Sequence, residues 1–156
     1  MLLEGLSVVH LQCHNGVETV AFAQKGARTA GVDFSGENLA VARRSAQAAG
    51  VRVEFVEADV YDAVEALEGR TFDLVYTGRG PLPYLSELRA WADVVAELLK
   101  PGGLVYLMEF HPLLNSIGRA GPRDAGQPLE LRYDYQGGRR AINSAPRTPT
   151  PRRRAG

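Results

Sequence analysis

Five short apolar runs, separated by stretches of helical periodicity, limit what this chain can fold into more than any other feature. They are SVVHLQC (7–13), RTAGVDF (28–34), VRVEFVEAD (51–59), FDLVYT (72–77) and GLVYLMEF (103–110). Several are continuous in apolar residues instead of alternating, which is the pattern of strands covered on both faces. Between them, Val17, Val20, Ala21 and Gln24 recur at helical spacing over 17–25, and Gly26 supplies a stop. Ser35 can cap a helix over 36–49 that Gly50 ends. Ser86 can cap another over 86–99, whose Leu88, Trp91, Val94, Val95, Leu98 and Leu99 share a face. Pro101-Gly102-Gly103 is then expected to break the chain before the fifth strand. This alternation predicts an α/β fold, a doubly wound parallel sheet with helices on both faces. Ligands of such sheets bind beyond the carboxyl ends of the strands, where strand order reverses. HLQCHNG (10–16) lies there if the run from Ser7 is the central first strand.

The 156 residues suit one domain with a hydrophobic core, and 45% hydrophobic with 23% charged residues is ordinary for a globular chain. Cys13 is the single cysteine, which excludes an internal disulfide and fits a reducing, cytoplasmic setting. The start MLLEGLSVVH carries Glu4 and no basic segment before a long apolar run, so no secretory signal is expected. No apolar stretch nears the ~18 residues that cross a bilayer. The zero net charge hides an uneven distribution: residues 1–117 hold 9 Lys and Arg against 15 Asp and Glu, and residues 118–156 hold 9 Arg against 3 acids. Residues 1–117 are read as the folded core. Residues 118–135 offer one candidate strand, LELRYDY (129–135), and the Pro- and Arg-rich 136–156 has almost nothing to bury and is expected to be disordered.

HLQCHNG occupies the place where nucleotide-binding chains carry glycines, so that backbone N–H groups can approach a ligand. Gln12 and His14 stand where glycine is expected, and Gly16 alone remains. Asp33 ends the second run, 17 residues after Gly16, where an acid can accept from both ribose hydroxyls of an adenosine. Asp59 ends the third run, where a carboxylate can accept from an adenine amino group. The plainer alternative is that each acid caps the helix after it. His10, Cys13 and His14 invite a metal, but their spacing is wrong and His111 is the only other histidine, so no metal is expected. Cys13 reads as a small residue buried under the loop, and His10 as a satisfied buried histidine inside the first strand.

Four pieces together resemble the class I S-adenosylmethionine-dependent methyltransferases of the broad small-molecule type. They are HLQCHNGVETVAFAQKGARTAGVDFS (10–35), FVEADVYD (55–62), FDLVYTGRG (72–80) and AELLKPGGLVYLMEFHP (96–112). LLKPGG is the most distinctive, because dinucleotide dehydrogenases do not usually carry it. The loop is similar to that of a subgroup reading HLQCHxG, and the resemblance spans about residues 5–114. It implies a Rossmann-like sheet of order 3-2-1-4-5, S-adenosyl-L-methionine as cofactor and a small-molecule methyl acceptor. Carried over by position, Leu11, Gln12, His14 and Gly16 line the methionine and ribose part, and Asp33 holds the ribose hydroxyls. Asp59 and Val60 flank the adenine, and Thr77 sits near the sulfonium end. A sulfonium cofactor has no phosphate, which suits a loop with few glycines and no basic residue. Methyl transfer is an in-line displacement, so positioning can supply most of the acceleration. A general base matters only where the acceptor must lose a proton. Tyr84, Glu109 and His111 are candidates, and none is singled out: Glu109 can instead pair with the scaffold, and His111 before Pro112 can shape a turn.

Two departures set expectations of their own. Only six residues precede Ser7, where that family has a helical cover, and at most LELRYDY stands for the two strands it adds after the fifth. The expectation is a chain truncated at both ends, with later strands missing or incomplete and the fifth strand an exposed edge. Three readings stand beside the enzyme. One is a non-catalytic adenosylmethionine-binding fragment or pseudoenzyme without a complete substrate pocket. Another is a nicotinamide-dependent oxidoreductase, disfavoured by the lone Gly16 and by LLKPGG. The last is non-specific, salt-sensitive nucleic-acid binding through RRR (152–154), disfavoured by the acidic body.

Overall fold

The computed structural model describes residues 3–111 together with Leu113 and Ser116. The chain divides into two units, Met1–Glu109 and Phe110–Gly156, and the strands and helices that follow belong to the first. Strands β1 (Ser7–Leu11), β2 (Arg28–Asp33), β3 (Val53–Glu57), β4 (Phe72–Thr77) and β5 (Leu99–Leu107) form one parallel sheet in the order β3-β2-β1-β4-β5. This is the expected order, and it reverses between β2-β1 and β4-β5; in sheets of this kind ligands bind at such a reversal, here above the carboxyl ends of β1 and β4. The continuous apolar runs of β1, β2 and β4 are buried on both faces: Val8, Val9, Leu11, Val32 and Val75 expose nothing.

Helices α1 (Val17–Gln24), α2 (Gly36–Ala48), α3 (Ala63–Ala66) and α4 (Leu88–Glu97), with 3-10 turns at Val60–Asp62 and Leu82–Tyr84, cover the sheet. Alternation along the strands sorts the core into layers. Val9 and Leu11 of β1 join Ala30, Val32 and Val75 against Trp91, Val94, Val95 and Leu98 of α4 and its end. Opposite, Cys13 and Phe55 pack on Val20 of α1 and on Leu39, Ala42 and Ala46 of α2. Ser35 caps α2 as expected, accepting from the Asn38 N–H at 3.3 Å. The start of α4 departs from expectation. Glu87 holds the N-cap position without a side-chain cap, and its N–H donates to the Tyr61 hydroxyl at 2.9 Å. The side-chain cap expected of Ser86 is thus not formed, and the distant phenol satisfies the N–H of the N-cap residue itself. Leu88, expected on the shared apolar face, is exposed, and Leu99 belongs to β5.

Pro101-Gly102-Gly103 does not precede β5 but lies within it, as an irregularity in the pairing: Phe72 pairs with Leu99, yet Leu74 pairs with Leu104. Gly102 takes φ 78°, a conformation that favours glycine. Lys100 anchors this bend, its Nζ donating to Asp73 Oδ1 at 2.9 Å and to Ser7 Oγ at 3.1 Å. Ser7 donates its N–H and hydroxyl to Asp73 Oδ2 at 2.7 and 2.6 Å. The Lys of LLKPGG and the Asp of FDLV thus tie together the amino ends of β1, β4 and β5. Beyond the bend, β5 does not share the burial of β1, β2 and β4. Leu104, Val105, Tyr106 and Leu107 are 43% to 56% exposed, and among the described residues β5 pairs with β4 alone. Successive side chains point to opposite faces, so both faces of β5 are open. Among the described residues, β5 is the border strand of the sheet, as anticipated. The expected boundary at 117, the segment 129–135 and the basic tail 136–156 lie outside the described residues. No helix among the described residues is long and apolar enough to cross a membrane.

Candidate functional site

At the carboxyl edge of the sheet, the loop after β1 alternates through left-handed backbone at Gln12 (φ 56°), His14 (φ 49°) and Gly16 (φ 70°). For Gln12 and His14 this conformation costs about 1–2 kcal/mol each, so something must hold it. The Cys13 N–H donates to the Val32 carbonyl and the Gly16 N–H to the Cys13 carbonyl, both at 2.9 Å. The His14 N–H donates to Asp33 Oδ2 at 2.7 Å. Beneath the loop Cys13 is 1% exposed, and a Cβ on Gly31 would come within 2.9 Å of its Sγ. Gly31 therefore makes the room for Cys13, which is buried under the loop as the sequence suggested. Burial, then the Asp33 carboxylate, pushes the Cys13 thiol up to about 12, so the nucleophilic thiolate is not formed near neutral pH. Burial, with the Arg79 guanidinium adding to it, lowers His10 to about 3, and its Nδ1 lies 2.8 Å from Thr19 Oγ1. His10 is thus a neutral, satisfied core residue.

Asp33 is 7% exposed at the tip of β2, and Oδ1 accepts from the Ser35 N–H at 3.0 Å while Oδ2 holds His14. A carboxylate oxygen accepts twice, so each retains capacity for one further donor. The acid does not cap α2, since Ser35 does. Asp59 is exposed after β3, and its Oδ1 accepts from the Tyr61 N–H at 3.0 Å; here the plainer role as a cap is real. Val60 beside it is buried. Phe34, one residue after Asp33, is 76% exposed, an apolar ring left in solvent at the strand tip. It was read only as the end of an apolar run; the signal was an aromatic directly after a strand-tip acid.

Not every expected residue presents its side chain. Leu11 is fully buried in the core facing α4, so its side chain is not available to a ligand. Thr77 is also fully buried, and its hydroxyl donates to Gln12 Oε1 at 3.4 Å, tying the β4 end to the loop. His14 is exposed and Gln12 half-buried. Glu18, in the first turn of α1, forms an ion pair with Arg79 just past β4, a contact the sequence reading missed because the two lie far apart in the chain. Tyr84 is 71% exposed. Glu109 Oε2 accepts from the Leu82 N–H at 3.0 Å and so fixes the Leu82–Tyr84 turn, and His111 Nδ1 accepts from the Leu113 N–H at 3.2 Å.

Residues 8–103 match a family model described as a methyltransferase domain. The ubiquinone biosynthesis O-methyltransferase of Chelativorans sp. (strain BNC1) is 30% identical over 117 residues, 75% of this chain and 45% of that protein. The protein of that name from Rhizobium etli is 30% identical over 118 residues, 76% of this chain and 46% of its own. The chain thus spans less than half the length of these relatives. Among solved structures, an S-adenosylmethionine-dependent methyltransferase from Mesorhizobium loti superposes with a TM-score of 0.63 at 26% identity, over 78% of this chain and 54% of its own. A complex of DhpI with S-adenosylhomocysteine does so with a TM-score of 0.55 at 27% identity, over 65% and 47%. With its sheet order, its strand-tip acid and this match over most of the described residues, the chain belongs to the methyltransferase-domain family and has the class I, S-adenosylmethionine-dependent methyltransferase fold.

Proposed function

We propose that the carboxyl edge of this sheet binds S-adenosyl-L-methionine and that residues 1–117 form the cofactor half of an enzyme that methylates a small molecule. The observation that carries this reading is Asp33. Its buried carboxylate fixes the loop after β1 and keeps one acceptor site on each oxygen, as two neighbouring ribose hydroxyls require. Gln12, His14 and Gly16 would border the methionine and ribose, with Leu11 and Thr77 contributing backbone. Asp59, Val60 and the exposed Phe34 would take the adenine. When bound, the cofactor supplies an electrophilic methyl group; the chain's own part is to bind, orient and exclude water. The relatives' names support a hydroxyl acceptor on a small molecule, and Cys13 as the single cysteine supports a cytoplasmic setting.

Calorimetric titration with S-adenosylhomocysteine, with NADH as control, tests the reading. We expect about micromolar binding, lost in Asp33→Ala. A folded chain that ignores S-adenosylhomocysteine, or that takes NADH as well, would refute it. The two open faces of β5 favour a second reading, a binding core that turns over nothing alone. Transfer of a labelled methyl group to a panel of hydroxylated aromatic acceptors distinguishes the two.

A further inference from the structure

The ion pair between Glu18 and Arg79 is hard to explain as a stabilising contact. Its side chains are 22% and 68% exposed, and an exposed pair contributes about 0–1 kcal/mol. Arg79 is held at φ 67°, which costs a non-glycine residue about 1–2 kcal/mol. Gly80 follows at φ 81°, so two successive left-handed residues swing the chain after β4 back toward the first turn of α1. Gly78 permits this course, because a Cβ there would lie 2.3 Å from the Tyr76 hydroxyl. Strain that the local contact does not offset clusters at ligand-binding positions.

The charge inventory says which ligand. The loops after β1 to β4, residues 12–16, 34–35, 58–59 and 78–80, contain a single Lys or Arg, which is Arg79. It stands two residues past Thr77, and Glu18 stands two residues past Gly16, so the pair borders the β1–β4 end of the crevice. That is the end which the proposed cofactor reading assigns to methionine, and the present inference rests on that reading. We infer that Glu18 and Arg79 form the subsite for the amino-acid zwitterion of the cofactor, Arg79 taking the carboxylate and Glu18 the ammonium. The guanidinium can meet a carboxylate with two parallel N–H bonds. Exchanging one internal ion pair for two ligand pairs leaves no charge unmatched, and the guanidinium is exposed.

The test compares two probes, S-adenosylhomocysteine and 5′-methylthioadenosine, which shares the adenosine and lacks the amino-acid end. Titrations are run on the wild-type chain, Arg79→Ala, Arg79→Lys, Glu18→Gln and Asp33→Ala. Arg79→Ala is expected to weaken S-adenosylhomocysteine by about ten- to a hundredfold, the worth of a charge-assisted hydrogen bond, and to leave methylthioadenosine unchanged. Arg79→Lys should recover part of the loss, Glu18→Gln should weaken S-adenosylhomocysteine alone, and Asp33→Ala should weaken both probes. Unchanged methylthioadenosine binding also certifies that the Arg79 and Glu18 variants are folded. The assignment is overturned if Arg79→Ala affects neither probe or both equally, or if the wild-type chain binds the two equally well. If the folded wild-type chain binds neither, the cofactor reading itself fails and the assignment falls with it.

Discussion

Replacing Gly16 by alanine should destabilise the fold far more than the same change at Gly50, although the two backbones are alike. Gly16 has φ 70° and Gly50 has φ 66°, so an added Cβ pays a similar conformational penalty at each, about 1–2 kcal/mol. The surroundings differ. A Cβ at Gly50 meets nothing within 4 Å, whereas one at Gly16 would lie 2.6 Å from Ala42 Cβ and 3.0 Å from the Phe55 ring. Ala42 is fully buried on α2 and Phe55 nearly so on β3, so neither can swing into solvent. Forcing a methyl group into such packing adds about 1–3 kcal/mol. Urea unfolding followed by the fluorescence of Trp91, the single tryptophan and a buried one, measures both variants in one assay. With a slope of about 1–3 kcal/mol per molar urea, Gly16→Ala should unfold roughly 1 M earlier than Gly50→Ala. Equal midpoints would show that the loop is not wedged against α2 and β3, and the reason given for the surviving glycine of HLQCHNG would be wrong.

Three further outcomes are expected. The Lys100 ammonium, and after it the Ser7 hydroxyl and N–H, hold the Asp73 carboxyl well below the usual carboxylate range. Its contribution is therefore present above the unfolded value near 4 and lost as pH falls below it; Asp73→Asn should flatten the drop in stability between about pH 5 and 2, seen as a smaller change in urea midpoint than in the parent. Cys13 should resist iodoacetamide at pH 8 in the folded chain and react promptly in urea, followed by mass spectrometry; prompt labelling without denaturant would contradict its burial and its raised thiol. Thr29 buries a hydroxyl without a hydrogen-bond partner, so Thr29→Val should raise stability by about 1 kcal/mol, a few degrees in melting temperature. A lowered melting temperature would mean that the hydroxyl is satisfied.

The parts of this fold that were legible in the sequence are those set by short-range pattern. The runs at 7–13, 28–34 and 72–77 became β1, β2 and β4, and Ser35 and Gly50 bounded α2 as read. What was not legible depends on partners distant in the chain. GLVYLMEF looks like a buried strand because its composition records β-propensity, whereas exposure depends on what else packs there. Glu87 is served by a phenol from Tyr61, which no local pattern announces. Within the site, Asp33 was readable from its place at a strand tip. The left-handed backbone of Gln12 and His14 was not, because neither residue type demands it and hydrogen bonds from β2 impose it. The meeting of Glu18 with Arg79 needs the whole sheet to be assembled first.

The two borders of the sheet are unlike. At β3, Arg43 of α2 donates to the Phe55 carbonyl at 2.9 Å, and Arg70 grips Glu54 through two bonds of 2.6 and 2.8 Å. Charge and occupied acceptors finish that border, in the way natural edges avoid adding a stranger's strand. From Leu104 to Met108 the opposite border has no charged side chain at all. Among the described residues the sheet is guarded by charge at β3 and bare of it at β5, so an added strand meets less resistance past β5. Since β4, which carries Thr77 and leads to Arg79, is the next strand inward, anything that lengthens the sheet there arrives one strand away from the crevice.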